Sequence, residues 1–338
     1  MIPGLVVSSR LQDDLAGIRI LMAGSVKCRS PEIQDCVDGL LANPGKLLRP
    51  SLTILSWRSA GGPGPDREAG EGPVGNDVLR VGAAIEMLHM ATLVHDDVID
   101  RAQTRRSQPS VYARYGARTA ILVGDLLFSA AFQLVADLAD SRLAAQLAGA
   151  IRAISESEIL QMNRIDPEAP SLRQYLHQII GKTAVLFAAS CRAGAELAKA
   201  GPTAVQALQR AGYDIGMAFQ VIDDILDFAE DGQSSGKTPG RDLELGLFTL
   251  PVLAALRNAP NASAERQSLL ALLGKTHLGV QDVARVRDLV RQTGGFATAR
   301  SWAERYTRRA LGELAKLPDG QARGELMTLT RDLLGRQY

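Results

Sequence analysis

Two copies of one acidic pattern, 127 residues apart, are the part of this sequence best suited to chemistry: Asp96-Asp97-x-x-Asp100 within LVHDDVID, and Asp223-Asp224-x-x-Asp227 within FQVIDDILDF. On a helix, positions i and i+4 share a face and i+1 lies about 100° away, so each motif aims its carboxylates from one helix toward one spot. Three carboxylates set among Leu, Val, Ile and Phe repel one another and resist desolvation; they persist as charges only with cations beside them. Oxygen-only ligands suit Mg²⁺, which keeps several waters and shares its shell with substrate phosphates. The bland alternative is a solvated helix face or a helix N-terminus. The apolar flanks ATLV and FQVI fit it poorly.

Basic groups are the second clue. Lys46 and Arg49 stand in PGKLLRP, Arg105 and Arg106 follow Asp100, Lys182-Thr183 lies in IIGKTAVLF, and Lys237 in SSGKTPG. Each alone reads as a solvated charge. Together with six carboxylates and divalent cations they describe a site for polyphosphate esters, with Arg gripping phosphate bidentately and Lys acting as a point charge. Gln220 sits in an apolar run, where its amide needs a partner. His89, seven residues before Asp96, is read as facing a ligand rather than as a core histidine. His95 is left open between a supporting and a purely structural role.

The elements that must position these groups are helices. Nearly every segment has a 3.6-residue period and no strand alternation is convincing. Helices are expected at 8–24, 31–43, 47–60, 76–101, 117–139, 141–164, 171–198, 202–230, 241–257, 263–273, 280–292, 295–316 and 320–336. Residues 61–75 (GGPGPDREAGEGPVG) read as a flexible surface loop, and 231–240 (DGQSSGKTPG) as a second loop directly after the second acidic motif. No linker divides the chain, so one all-α domain over 1–338 is expected. Of the 338 residues 46% are apolar and only 4% aromatic, which favours close-packed helices, and the net charge of +1 gives no global case for nucleic acid or an anionic membrane. The apolar stretch 119–139 carries Asp125, Gln133 and Asp137 and reads as a core helix rather than a membrane span. Cys28, Cys36 and Cys191 are odd in number and lack metal-ligand spacing, so reduced thiols are expected. The N-terminus shows no signal-peptide pattern. Together these predict a cytoplasmic protein.

The blocks GKLLRP, EMLHMATLVHDDVIDRAQTRRSQPS, GDLLF, ESEILQ, GKTAVLF, FQVIDDILDF and GKTPGRDLELGLFTLP occur in this order. In them the chain resembles the trans-isoprenyl diphosphate synthases, specifically their long-chain polyprenyl branch, over residues 45–251. The resemblance implies an isoprenoid-synthase-type bundle of about a dozen helices around a central cavity, with the acidic motifs facing each other at its mouth. It matches Asp96, Asp100 and Asp223 to the main Mg²⁺ ligands, and Asp97, Asp224 and Asp227 to supporting positions. Arg105, Lys182, Thr183, Gln220 and Lys237 match an allylic diphosphate site. Lys46, Arg49, His89 and Arg106 match an isopentenyl diphosphate site, and Gln161 a supporting polar position.

The implied reaction is ionisation of an allylic diphosphate such as farnesyl or geranylgeranyl diphosphate. Attack by isopentenyl diphosphate and loss of a proton to the departing pyrophosphate follow, so no protein nucleophile is required. Thr183 and Gln220 would present dipoles to the cation, in a cavity that excludes water. Ala91 and Thr92, about one turn before Asp96, occupy places where members making short products carry an aromatic. Both are small here, so a product of six or more units is expected, Ala91→Phe should shorten it, and Phe128 and Phe132 are read either as ordinary core residues or as the floor. Leu47, Ser107, Ser157 and Leu247 depart from residues usual in the family without removing a metal ligand.

The leading reading is a homodimeric long-chain synthase supplying a quinone side chain or polyprenyl carrier, touching membrane at most transiently to deliver product. A catalytic subunit of a two-component heptaprenyl-type enzyme and a geranylgeranyl diphosphate synthase are the alternatives. A terpene cyclase would not need Lys46, Arg49 and Arg106, and a non-catalytic partner would not keep both acidic motifs.

Overall fold

In the computed structural model the described residues are 8–62, 75–106, 108–138, 140–162, 171–229, 243, 247–275 and 277–335. Most of the expected 61–75 loop and all of 231–240, including Lys237, lie outside them. Helix starts follow local capping chemistry: the Ser8, Ser110 and Ser263 hydroxyls accept from the backbone N–H groups of Leu11, Ala113 and Arg266, satisfying donors that the first helical turn leaves open. The helices are α1 (Ser9–Ser25), α2 (Pro31–Ala42), α3 (Leu48–Ser59), α4 (Asn76–Ile99), α5 (Val111–Ala136), α6 (Ser141–Met162), α7 (Leu172–Ile179), α8 (Val185–Leu197), α9 (Pro202–Ala229), α10 (Leu250–Asn258), α11 (Ala264–Leu273), α12 (Val280–Gln292), α13 (Gly295–Leu314) and α14 (Gln321–Leu334). A π-helical segment, Ile180–Ala184, joins α7 to α8.

The all-α expectation holds, with three local differences, one being that the helix expected over 241–257 begins only at Leu250, residues 247–249 being non-helical up to its extended N-cap Thr249. A hairpin of two-residue strands, β1 (Thr104–Arg105) and β2 (Gln108–Pro109), follows α4; strands this short carry no readable alternation. The helix expected from 117 begins at Val111, and Gly116 (φ 79, ψ 169) kinks it next to the predicted start.

The chain divides into two compact units, each assembled from separate stretches. The first contains residues 1–151, 186–212 and 312–329. Its spine is α4, against which α1, α3 and α5 pack. All twelve residues of α3 are buried. Three of its four hydroxyls escape the cost of burial by turning back along the chain: Ser51, Thr53 and Ser59 donate to the carbonyls of Leu47, Arg49 and Leu55. Leu52, Ile54, Leu55 and Trp57 carry the gain, about 1.5–3 kcal/mol for each large apolar side chain. The Arg58 guanidinium donates to Asp14 at 2.6 Å and ties α3 to α1, which gives a structural role to an N-terminal stretch that the sequence left unassigned. Helix α5 is less enclosed than a core helix, with Ile121 and Leu122 exposed. Both α4 and α5 are long and apolar enough to cross a membrane by length and composition. All three cysteines are free, and burial pushes the Cys191 thiol up to about 12, leaving it protonated and inert.

The second unit contains residues 152–185, 213–311 and 330–338. One core joins Tyr175 and Ile179 of α7 to Met217, Val221 and Ile225 of α9, Leu253 of α10, and Ala299 and Ala303 of α13. A second gathers Phe228, Val252, Leu256 and Leu269 onto Val283, Val286, Leu289 and Val290, one helical face of α12.

Candidate active site

Both acidic motifs occupy the C-terminal turns of long helices: Asp96 and Asp97 near the end of α4, with Asp100 as its C-cap, and Asp223–Asp227 in the last two turns of α9. The helix dipole is negative there, so carboxylates are disfavoured rather than accommodated as they would be at an N-terminus. This placement removes the helix-N-terminus reading of the motifs and raises the demand for cations. The two copies also share one order of burial. The first Asp of each is partly exposed, the second is buried (Asp97 3%, Asp224 5%), and the last is exposed. The middle residue turns inward and is held by protein, while the outer two face the surface on which a cation would be shared with solvent and substrate.

In the first unit Asp97 accepts two hydrogen bonds from Arg105, 3.0 Å from Nε and 2.6 Å from Nη2, a forked contact that fixes the guanidinium against the end of α4. The hairpin makes this possible by folding Arg105 back on the helix it has just left. Arg106 follows at the turn with φ 52, the left-handed conformation a tight hairpin demands at this position. Its guanidinium lies on Gly45, where a Cβ would stand 2.5 Å from Nη2, and donates to the Asn43 carbonyl at 2.8 Å. Gly45 (φ 87) is thus required twice, by its backbone and by the group above it. Leu47 is also left-handed (φ 50) yet only 1% exposed. Its side chain serves the core, so the phosphate contact expected of an Arg here is absent, and the strain of order 1–2 kcal/mol is offset by burial.

Arg49 is buried in the first turn of α3, its guanidinium 4.7 Å from the centre of the Phe187 ring. His89, partly buried on α4, is held well below the usual imidazole range by burial and by the charges of Arg49, Arg106 and Arg105. It is therefore neutral, a hydrogen-bond partner rather than a cation. Lys46 is exposed in the turn ahead of α3. Arg49, Arg106 and His89, all expected at the isopentenyl site, thus act on one another electrostatically within this unit. His95 is settled as a positioning group: its Nε2 donates to the Ile121 carbonyl at 3.0 Å and its ring stacks obliquely on Phe128, pinning the end of α4 to α5.

In the second unit one hydrogen-bonded chain runs through the expected allylic residues. The Thr183 hydroxyl donates to Gln220 Oε1 at 2.6 Å, Gln220 Nε2 donates to Asp224 Oδ1 at 2.9 Å, and the Tyr175 hydroxyl donates to Asp224 Oδ2 at 2.5 Å. A carboxylate only accepts, so the amide of Gln220 must turn its NH₂ toward Asp224 and its carbonyl toward Thr183. Lys182 reaches Glu158 at 3.0 Å. The π segment sets these directions: one extra residue in the turn rotates Lys182 and Thr183 relative to α7. It packs closely on α6, where Gly181 leaves no room for a Cβ beside Ser157. The Ser157 hydroxyl donates to the Gln178 carbonyl at 3.2 Å just ahead of the π turn, which accounts for a Ser in place of Gly. Gln161 accepts from Gln178, so it supports this turn rather than an aspartate. Tyr175 was not foreseen. Tyr175→Phe is expected to cost about 1–3 kcal/mol of stability, because Asp224 loses a buried donor, and to weaken metal-dependent activity; a thermal melt paired with a metal titration of the rate checks both.

Among the described residues no three His, Cys, Asp or Glu side chains converge as a ready-made metal cage. The donors are carboxylates at the surface of each helix end, a set that fits an ion retaining water and completed by phosphate oxygens. Ala91 is fully buried, whereas Thr92 is partly accessible with its hydroxyl on the His89 carbonyl at 2.8 Å.

A helical fold with acidic clusters at helix C-termini and arginines fixed beside them defines an isoprenoid-synthase type of protein. Residues 30–290 match the polyprenyl synthetase family, and the chain belongs to that family: it is a prenyltransferase of the long-chain polyprenyl diphosphate synthase kind. It is 35% identical to the nonaprenyl diphosphate synthase of Mycobacterium tuberculosis, over 96% of this chain and 92% of that one. To heptaprenyl diphosphate synthase component 2 of Geobacillus stearothermophilus it is also 35% identical, over 98% of both. The crystal structure of a polyprenyl synthase from Caulobacter crescentus, complexed with calcium and isoprenyl diphosphate, superimposes with a TM-score of 0.86 at 32% identity, covering 97% of this chain and 98% of that one.

Proposed function

We propose that this prenyltransferase is a Mg²⁺-dependent, self-sufficient enzyme that extends an allylic diphosphate, farnesyl or geranylgeranyl, by successive isopentenyl diphosphates to an all-trans chain of six or more units. The observation that carries this is the pair of acidic motifs at helix C-termini, each with its middle Asp locked by protein donors and its outer carboxylates turned outward. Asp96, Asp100 and Asp223 would hold Mg²⁺, which neutralises charge on the departing pyrophosphate. Arg105, Lys182 and Lys237 orient the allylic diphosphate. Thr183 keeps its lone pairs toward the cation, its proton being committed to Gln220. Arg49, Arg106, Lys46 and a neutral His89 hold isopentenyl diphosphate, and the small, partly accessible Thr92 leaves room for a long tail.

The two units would act as a single catalytic domain, a reading supported by the unit boundaries falling inside α6, α9, α13 and α14. A second copy of the chain would cover the exposed Ile121 and Leu122 of α5, giving a cytoplasmic homodimer. The likeness to a heptaprenyl synthase component favours a second reading, a catalytic subunit needing a partner. The test is incubation of the purified chain with farnesyl diphosphate, labelled isopentenyl diphosphate and Mg²⁺, followed by sizing of the extracted prenols. A ladder ending at six or more units supports the self-sufficient long-chain enzyme. A geranylgeranyl endpoint or no incorporation overturns it, the latter in favour of the two-component reading.

A further inference from the structure

Glu86 belongs to none of the roles above, yet it is the most confined carboxylate beside them. It lies on α4 one turn before His89, on the same face, is 2% exposed, and its Oε2 has no hydrogen-bond partner. A buried carboxylate with an orphaned oxygen is costly, and the charges acting on it are guanidiniums on neighbouring elements: Arg49 of α3, Arg106 of the hairpin turn and Arg19 of α1. Two of these three are the arginines assigned to isopentenyl diphosphate.

We propose that Glu86 is the exchangeable counter-charge of that pocket: it faces Arg49 and Arg106 as a carboxylate, and when a diphosphate engages the same two arginines it is neutralised by a proton taken from solvent. The inference rests on the reading of Arg49 and Arg106 as the isopentenyl diphosphate site.

The electrostatics run in one direction. Burial pushes the Glu86 carboxyl up to about 7 against the pull of Arg49, Arg106 and Arg19, so near neutrality both forms are populated. A diphosphate brings negative charge to the same arginines and screens them from Glu86, and both effects favour the protonated acid. Burial also lowers the Arg106 guanidinium from its ordinary value, while Glu86 opposes that shift. Glu86 therefore acts as a positioning residue. It offsets the charge of the two guanidiniums until phosphate replaces it, and its proton removes the repulsion that would otherwise oppose the replacement. Binding should take up about half a proton at pH 7 and close to one at pH 8.

Calorimetric titration of the full chain with isopentenyl diphosphate alone, in two buffers of different ionisation enthalpy, counts these protons. At pH 8 the ligand is fully ionised and brings none of its own. The native chain should take up close to one proton at pH 8 and Glu86→Gln close to none, with the difference vanishing at pH 5.5, where Glu86 is already protonated. The isosteric variant also separates Glu86 from His89, whose imidazole remains. Equal proton counts in native and variant at pH 8 would overturn the inference and leave the site assignment standing. Should the variant not fold, the native count decides alone: no net uptake at pH 8 rejects the idea. A native chain that does not bind isopentenyl diphosphate at all removes the pocket, and the inference with it.

Discussion

Asp96→Asn and Asp223→Asn are each expected to lower kcat by a factor on the order of 10³ or more while leaving thermal stability unchanged or slightly raised. The two effects have one cause. These carboxylates lie in the last turns of α4 and α9, partly exposed, where the helix dipole and the neighbouring aspartates both oppose their charge. Neutralising one without a metal present relieves repulsion worth about 0.3–1 kcal/mol. The same change removes a ligand for the ion that stabilises the departing pyrophosphate. The middle residues should behave differently. Asp97→Asn breaks the forked contact to Arg105, and Asp224→Asn breaks the contacts from Tyr175 and Gln220. Both are buried, so activity and stability should fall together, the latter by about 1–3 kcal/mol. Rates of isopentenyl incorporation beside melts recorded in a chelator separate the two classes. More than a tenth of native activity in Asp96→Asn would sink the assignment of the outer carboxylates as metal ligands.

The second large effect concerns product length. Thr92→Phe should shorten the final prenol by two or more units with little loss of stability. Ala91→Phe, the change the sequence alone favours, should act less cleanly. Ala91 has no exposed surface, so a ring there must displace packed neighbours at a cost of about 1–3 kcal/mol. Thr92 retains accessible surface, and its hydroxyl is already turned back on the His89 carbonyl. A phenyl group at 92 can project from this accessible surface about 5.4 Å, one helical turn, from the level of Asp96. Sizing the prenols of both variants beside their melting temperatures tests the distinction. An unchanged product in Thr92→Phe would remove this helix from the control of length.

What could be read from the sequence was what repeats or what is chemically out of place. Helices followed from periodicity, and six aspartates in apolar flanks announced themselves. Gln220 stood out because a polar side chain in an apolar run needs a reason, and the structure supplies one in the chain from Thr183 to Asp224. Glu86 meets the same criterion, a carboxylate within the apolar run GAAIEMLHM. Tyr175 had no such signal: its contact with Asp224 spans 49 residues and depends on how α7 meets α9. Glu158 lay inside a recognised block, but its pairing with Lys182 depends on a π turn that composition does not encode. The hairpin was illegible because two residues cannot alternate. Leu47 looked like a lost phosphate contact. The structure turns it into a buried, left-handed residue whose side chain belongs to the core.

The π turn at Ile180–Ala184 also makes this stretch tolerant of spelling but not of length. Deleting any one of its five residues would restore an ordinary helix and its hydrogen bonds, a local gain. Yet every residue on one side of the deletion would then turn about 100° relative to the other. Either Lys182 and Thr183 would swing away from Glu158 and Gln220, or the whole of α8 would present the wrong face to its neighbours. Substitutions here can be compensated one contact at a time, whereas a change in residue count cannot. The chain length between Tyr175 and Ala184 is therefore as much a part of the candidate site as the side chains it carries.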